Sequence, residues 1–190
     1  VGSLPFAAGP MALGDYDGDG DLDLFVGART VARRYPEAAP SLLYRNDRGA
    51  FTRDDSASTA LGNAGLVSSA MFADVNGDGR PDLVLAREWD SLLLLLNRGG
   101  RFEAAPDSWG LARWTSRWNG IAAGDLDGDG RLDLVATSWG RNTAMPADSA
   151  NPLVMFHGRF GAAGEEELLT ARTDARIGVL APLNSYARTK

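Results

Sequence analysis

The stretch DYDGDGDLD, from Asp15 to Asp23, returns as DVNGDGRPD from Asp74 to Asp82 and as DLDGDGRLD from Asp125 to Asp133. In each copy the first, third, fifth and ninth positions carry short oxygen side chains. These are Asp15, Asp17, Asp19 and Asp23, then Asp74, Asn76, Asp78 and Asp82, then Asp125, Asp127, Asp129 and Asp133. Hard oxygen donors packed this densely suit Ca²⁺, which takes six to eight oxygens at roughly 2.3–2.6 Å. The seventh position is Asp21, Arg80 or Arg131. A position indifferent between an acid and a base offers its backbone carbonyl as ligand, not its side chain. Glycines fill the fourth and sixth positions, where a chain wrapping an ion must turn through positive φ. The reading is therefore three Ca²⁺ sites, one per repeat, with the second and eighth side chains pointing away from the ion.

Asp, Asn and Gly are also turn formers, so one such loop alone could be a solvated hairpin; three copies with four matched oxygens each are not explained that way. The EF-hand shares the opening DxDxDG but needs a bidentate Glu at its twelfth position and flanking helices. The twelfth position here is Val26, Leu85 or Ala136, and the loops run into LDLFVGA, PDLVLAR and LDLVATS. Those short runs rich in Leu and Val read as buried strands. The loops therefore join pairs of strands.

Around them, 190 residues with 44% hydrophobic content can bury a core, and length suggests one domain or a piece of one. Twenty-three glycines and the short apolar runs favour an all-β architecture with no strong helix signal. The formal charge of −6 is concentrated in the loops, and three Ca²⁺ would bring it to zero. With no basic stripe, nucleic acid is not an expected partner. The chain has no cysteine, which fits a disulfide-free exported protein as well as a cytosolic one. It starts at Val1 with no signal-peptide pattern and has no apolar stretch long enough to span a membrane, so the expectation is a removed leader or an excised portion.

In chain order, Val1 to Pro10 reads as a loop finishing in a short strand, MALG. After the first loop and strand comes a connection, RTVARRYPEAAP, and then SLLYRNDRGAFTR, two strands about a turn at Asn46 to Gly49. The second unit has SSAMFA, its loop, PDLVLAREW and SLLLLLNRGGRFEA; the third has NGIAAG, its loop, LDLVATSWG and NPLVMFHG. Asn46 to Asp74 and Asn97 to Asp125 both span 28 residues, while Asp15 to Asp74 spans 59 and Asp74 to Asp125 spans 51. The extra eight residues lie in the connection holding Tyr35 and Pro36, so one module is reused with an insertion. RFGAAGEEE, residues 159–167, reads as a fourth loop that has lost its ligands, or as an unrelated Gly-rich turn.

Four short strands per unit with a calcium loop between the first two resemble the FG-GAP or VCBS repeat, the blade of the integrin α-subunit β-propeller. The LLYRNDRGAF and LLLLNRGGRF hairpins strengthen the resemblance. More narrowly, GARTVARRYPEAAPSLLYRND, the WNG at Trp118 to Gly120 and GVLAPL near the end resemble the bacterial ASPIC/UnbV group, related to cartilage acidic protein. The resemblance implies Ca²⁺ in the loops, an extracellular, cell-surface or periplasmic location, and adhesion or protein contact. It sets the expected fold as an incomplete propeller in one repeat domain, residues 1–190. Blades of four antiparallel strands are expected over about 10–55, 68–105 and 119–160, with a partial blade or tail at 161–190. Unclosed sheet edges attract other chains, so the expected partners are the remainder of a longer chain, another protein, or copies of itself in a ring or filament.

No catalysis is expected. The single histidine, His157, reads as a satisfied residue of an apolar strand, and Glu165, Glu166 and Glu167 as a solvated acidic run. The alternative function is a lectin-like module in which some of Trp89, Trp109, Trp114, Trp118 and Trp139 stack on sugar rings. Against it stands packing of those tryptophans between blades, the expected outcome for so large a side chain.

Overall fold

The computed structural model describes residues 4, 6–140, 143, 145–160 and 167–183, and it divides into two compact units, 1–138 and 139–190. The first unit holds three sheets. Strands β1 (Phe6–Gly14), β2 (Asp23–Val31), β3 (Leu42–Asp47) and β4 (Ala50–Arg53) form an antiparallel meander in that spatial order. Strands β5 (Leu66–Ala73), β6 (Asp82–Glu88), β7 (Leu93–Asn97) and β8 (Phe102–Ala104) repeat it. The third sheet pairs β9 (Trp118–Gly124) with β10 (Asp133–Ser138). The second unit is a three-stranded sheet of β11 (Val154–Gly158), β12 (Glu167–Asp174) and β13 (Val179–Pro182), with β12 central. The architecture is all-β, in antiparallel sheets consistent with the blades of an incomplete propeller.

The alternating strand pattern gives each sheet two apolar faces, and stacking buries them. Phe25 and Leu43 of sheet one meet Val67, Leu83, Leu85 and Leu95 of sheet two, with Tyr16 and Phe102 closing one end. On the far side of sheet two, Val84, Leu94 and Leu96 meet Met71, Ile121 and Leu134. A further cluster, Phe6, Val26, Ala28, Leu42 and Tyr44, lies on sheet one's other face, part-covered by Ala39 of the inserted connection.

Three observations differ from the sequence reading. The lead-in is a strand from Phe6, because register irregularities between Ala7 and Met11 absorb Pro10 in an edge strand. Gly9 sits there because a side chain would collide with the Val67 carbonyl, at 2.8 Å. A one-turn helix, α1 (Asp55–Ser58), follows sheet one and is too short to produce a periodic signal; the Asp54 carboxylate caps it by accepting from the Ser56 and Ala57 N–H groups. Among the described residues the third sheet has two strands where four were expected, and β11, placed by the expected boundaries in blade three, hydrogen-bonds to β12. The degenerate loop at 159–167 falls largely on residues 161–166, Glu165 and Glu166 included, and so lies outside the described residues.

Candidate metal-binding loops

All three DxDGDG-type loops sit where the sequence puts them, joining β1 to β2, β5 to β6 and β9 to β10. Their six glycines all have positive φ, between 74° and 95°, with open space where a Cβ would stand. Backbone conformation, not crowding, is what selects glycine there.

Each first-position Asp gathers the turn. Asp15 Oδ1 accepts from the Gly18 and Asp19 N–H groups at 2.8 and 3.1 Å, and its Oδ2 from Gly20 at 3.0 Å. Asp74 repeats this with Gly77, Asp78 and Gly79, and Asp125 with Gly128, Asp129 and Gly130. Third-position Asp17, Asn76 and Asp127 accept from the fifth-position N–H, and fifth-position Asp19, Asp78 and Asp129 from the seventh. These bonds hold the side chains in one concave cluster. Asp15, Asp17 and Asp19 each place a carboxylate oxygen within 4.8 Å of the others, as do Asp125, Asp127 and Asp133. Loop two has Asn76 in place of one carboxylate, and no such acidic trio gathers there among the described residues. The donor chemistry of loops one and three fits a hard divalent cation.

The seventh-position side chains are engaged elsewhere, consistent with a backbone ligand at that position. Asp21 Oδ2 accepts from the Arg48 N–H at 2.8 Å. Arg80 and Arg131 turn back on the fifth-position carboxylates, with Arg80 NH2 to Asp78 Oδ2 at 2.7 Å and Arg131 Nε to Asp129 Oδ2 at 2.8 Å. Partial desolvation pushes Asp78 up, but the Arg80 N–H, the Asn76 side chain and the guanidinium outweigh it and hold Asp78 below the usual carboxylate range. The Arg131 side chain does the same for Asp129. Loops two and three thus take a counter-ion from their own seventh position, whereas in loop one Asp17 is paired, at 3.8 Å, with Arg45 of β3.

The ninth position has a second task that its spacing does not disclose. Asp23 and Asp82 are fully buried. Asp23 Oδ2 accepts from the Tyr16 N–H and its Oδ1 from the Asn46 N–H on β3; Asp82 Oδ2 accepts from Val75 and its Oδ1 from Asn97 on β7. Burial raises both carboxyls, and those N–H bonds oppose the shift only in part. Asn97 extends the tie by donating to the Tyr16 carbonyl in loop one at 2.8 Å and the Pro81 carbonyl in loop two at 3.1 Å. Tyr16 in turn donates its hydroxyl to Asp54 at 2.9 Å, and burial first, then Asp54, drives the phenol pKa strongly up. Two adjacent acidic loops, two sheets and a helix cap are one hydrogen-bonded structure.

At the other end of the first two sheets, buried Glu88 pairs with Arg29 of β2 and accepts from the Tyr35 hydroxyl at 3.0 Å, with Arg117 NH2 at 3.7 Å. Tyr35 accepts from Trp89 Nε1 at 2.6 Å, and the Arg117 guanidinium lies 5.1 Å from the centre of the Trp89 ring. This network, which fastens the inserted connection to sheet two, joins residues 29, 35, 88 and 117, separations that no local pattern reveals. The tryptophans are not in the buried core: Trp109, Trp114 and Trp139 are exposed, and Trp89 and Trp118 are half-buried. His157 stands exposed on β11.

Against this geometry, the family model of the FG-GAP-like repeat matches the chain twice, over residues 15–85 and 74–136. Each match starts at the first aspartate of a loop and ends beyond the next loop. No curated protein shows a significant match to the chain.

Proposed function

The chain belongs to the FG-GAP-like repeat family, and from that premise we propose that it is a calcium-stabilised, exported propeller-type module that works through protein contact and not catalysis. FG-GAP-like repeats are associated with propeller-like extracellular domains engaged in protein–protein interaction. The ions would be held by Asp15, Asp17, Asp19 and Asp23, by Asp74, Asn76, Asp78 and Asp82, and by Asp125, Asp127, Asp129 and Asp133, with the carbonyls of Asp21, Arg80 and Arg131. A bound cation would offset the mutual repulsion of carboxylates that the turn forces together, and so would stabilise the fold by linkage. The observation that carries this reading is the convergence of acidic oxygens in loops one and three. Extracellular calcium modules bind at about 10⁻⁴–10⁻³ M, so such loops would stay empty in cytosol, which supports export. No helix among the described residues is long and apolar enough to cross a membrane. The narrower kinship to the ASPIC/UnbV group rests on the RTVARRYPEAAP connection and the WNG motif. Thermal melts in calcium, in magnesium and in chelator test the reading: calcium alone should raise the melting temperature, and equal melts in all three would end it.

One observation favours a second reading, a glycan-binding module. Trp109 and Trp114 stand exposed in the segment between sheets two and three, offering flat aromatic surface. The Arg113 guanidinium lies 5.0 Å from the centre of the Trp114 ring, so a sugar would have to displace it. Glycan-array binding lost in Trp114→Ala would favour this reading over protein contact.

A further inference from the structure

Asn97 belongs to the last hairpin of sheet two, yet two repeats share it. It is fully buried, and every polar group of its side chain is engaged. Its Nδ2 donates to the Tyr16 carbonyl at 2.8 Å and to the Pro81 carbonyl at 3.1 Å, and its Oδ1 accepts from the Gly100 N–H at 2.8 Å. The main chain is held as firmly: the Asn97 N–H donates to Asp82 Oδ1, and the carbonyl accepts from Arg80 Nε at 3.2 Å. Asn97 therefore touches the seventh, eighth and ninth positions of loop two and the second position of loop one, 81 residues away.

The contact with loop one falls between two ligand positions, because Tyr16 stands between Asp15 and Asp17. The Tyr16 N–H donates to Asp23 at 3.0 Å, a tie that Val75 and Leu126 repeat in the other loops with Asp82 and Asp133. The Tyr16 carbonyl, on the peptide that leads into Asp17, is fixed by Asn97. Gly100 of the same hairpin lies against Asp17: a Cβ there would stand 3.8 Å from the Asp17 Cβ. Asn46, at the matching place in sheet one, donates its Nδ2 to the Leu22 carbonyl of its own loop.

An ion in loop one needs Asp15 and Asp17 aimed together, and groups that hold ligands in place typically carry about 10–100-fold in metal affinity. An ion in loop two would fix the Arg80 carbonyl and the Asp82 carboxylate, and both of those residues hold Asn97. Whichever loop fills first orders Asn97 for the other, so the coupling is positive and equal in both directions. We infer that Asn97 is a positioning residue of the loop-one calcium site, supplied by the neighbouring repeat, and that through it loops one and two bind calcium cooperatively. The inference rests on the calcium reading and adds to it a residue outside the nine-residue motif.

Each loop carries its own reporters: Gly18 and Gly20, Gly77 and Gly79, and Gly128 and Gly130. Their amide signals are followed by two-dimensional NMR of the isotope-labelled full-length chain as calcium is added to the chelator-stripped protein. Asn97→Ala should move the midpoint at Gly18 and Gly20 to about tenfold higher calcium and leave the midpoint at Gly128 and Gly130 in place. Asp19→Ala removes a ligand of loop one and keeps Asn97, and the midpoint at Gly77 and Gly79 should then rise about fivefold. Electrostatics alone predicts the opposite sign, because losing a divalent ion together with one carboxylate leaves loop one more negative. In chelator, Asn97→Ala should also speed hydrogen exchange of the Tyr16 amide and not of the Leu126 amide.

A loop-one midpoint untouched by Asn97→Ala, three midpoints moving together, or a loop-two midpoint unchanged or lowered in Asp19→Ala would overturn the inference. So would a Tyr16 amide equally protected with and without the Asn97 side chain, a result that needs no ion. Glycine signals that ignore calcium in the unsubstituted chain would instead end the calcium reading, and the inference with it.

Discussion

Loops two and three differ by one residue at the ligand positions, Asn76 against Asp127, yet they live in different surroundings. In sheet two, Asp82 is fully buried and each of its oxygens accepts a backbone N–H, one from its own loop and one from Asn97 on the third strand. In sheet three no third strand among the described residues pairs with β10, and Asp133 is half-buried, accepting from Leu126 through one oxygen. The ligand set is written by nine consecutive residues, but whether the ninth also anchors the fold depends on a strand some fifteen residues further on. The same aspartate is thus a buried anchor of the sheet in two repeats, while in the third it is half-buried and stands with Asp125 and Asp127 in the acidic cluster.

Removing calcium is the bluntest way to probe this difference. At free calcium tenfold to a hundredfold above Kd, each occupied site contributes about 1.4–2.7 kcal/mol, so chelation should lower the melting temperature markedly. Asp82→Ala sharpens the contrast: it strands two buried N–H groups, each worth about 1–3 kcal/mol, and should cost about 2–5 kcal/mol in urea unfolding even in chelator. Asp133→Ala, measured the same way, should cost less than about 1.5 kcal/mol, because a single N–H at a half-buried site loses its partner. Equal losses for the two variants would break the comparison. Asn97→Ala should fall between them, at about 2 kcal/mol, because the buried carbonyl of Tyr16 and the part-buried carbonyl of Pro81 lose their donor. Smallest of all, Arg131→Ala releases Asp129 from an exposed pair, and calcium should bind loop three slightly more tightly by calorimetry.

What the sequence discloses and what it hides follow from the range of each interaction. Loop geometry is local: Asp15, Gly18 and Gly20 are within hydrogen-bonding reach because they are within five residues, so the spacing alone places the turn and its strands. Unbroken apolar runs place β6 and β7 in the core for the same reason. Asn46 and Asn97 are visible as periodic markers, but their partners Asp23 and Asp82 lie 23 and 15 residues away, and only strand pairing brings them together. The Glu88 network spans up to 59 residues and uses the inserted connection, which reads as mere surface loop in one dimension. The tryptophans mislead for a related reason: size favours burial, but Trp109 and Trp114 sit in a tight segment of two short 3₁₀ turns with no sheet to pack them. Strand β11 has the composition of a third strand for sheet three, and composition does not say which neighbour it will pair with.

The central claim is that each of the three nine-residue turns holds one calcium ion. Calorimetric titration of the chelator-stripped chain with calcium tests it most directly: three ions should bind, most weakly at the Asn76 loop, and Asp129→Ala should leave two. Fewer than three ions in the unsubstituted chain, or a stoichiometry untouched by Asp129→Ala, would contradict it.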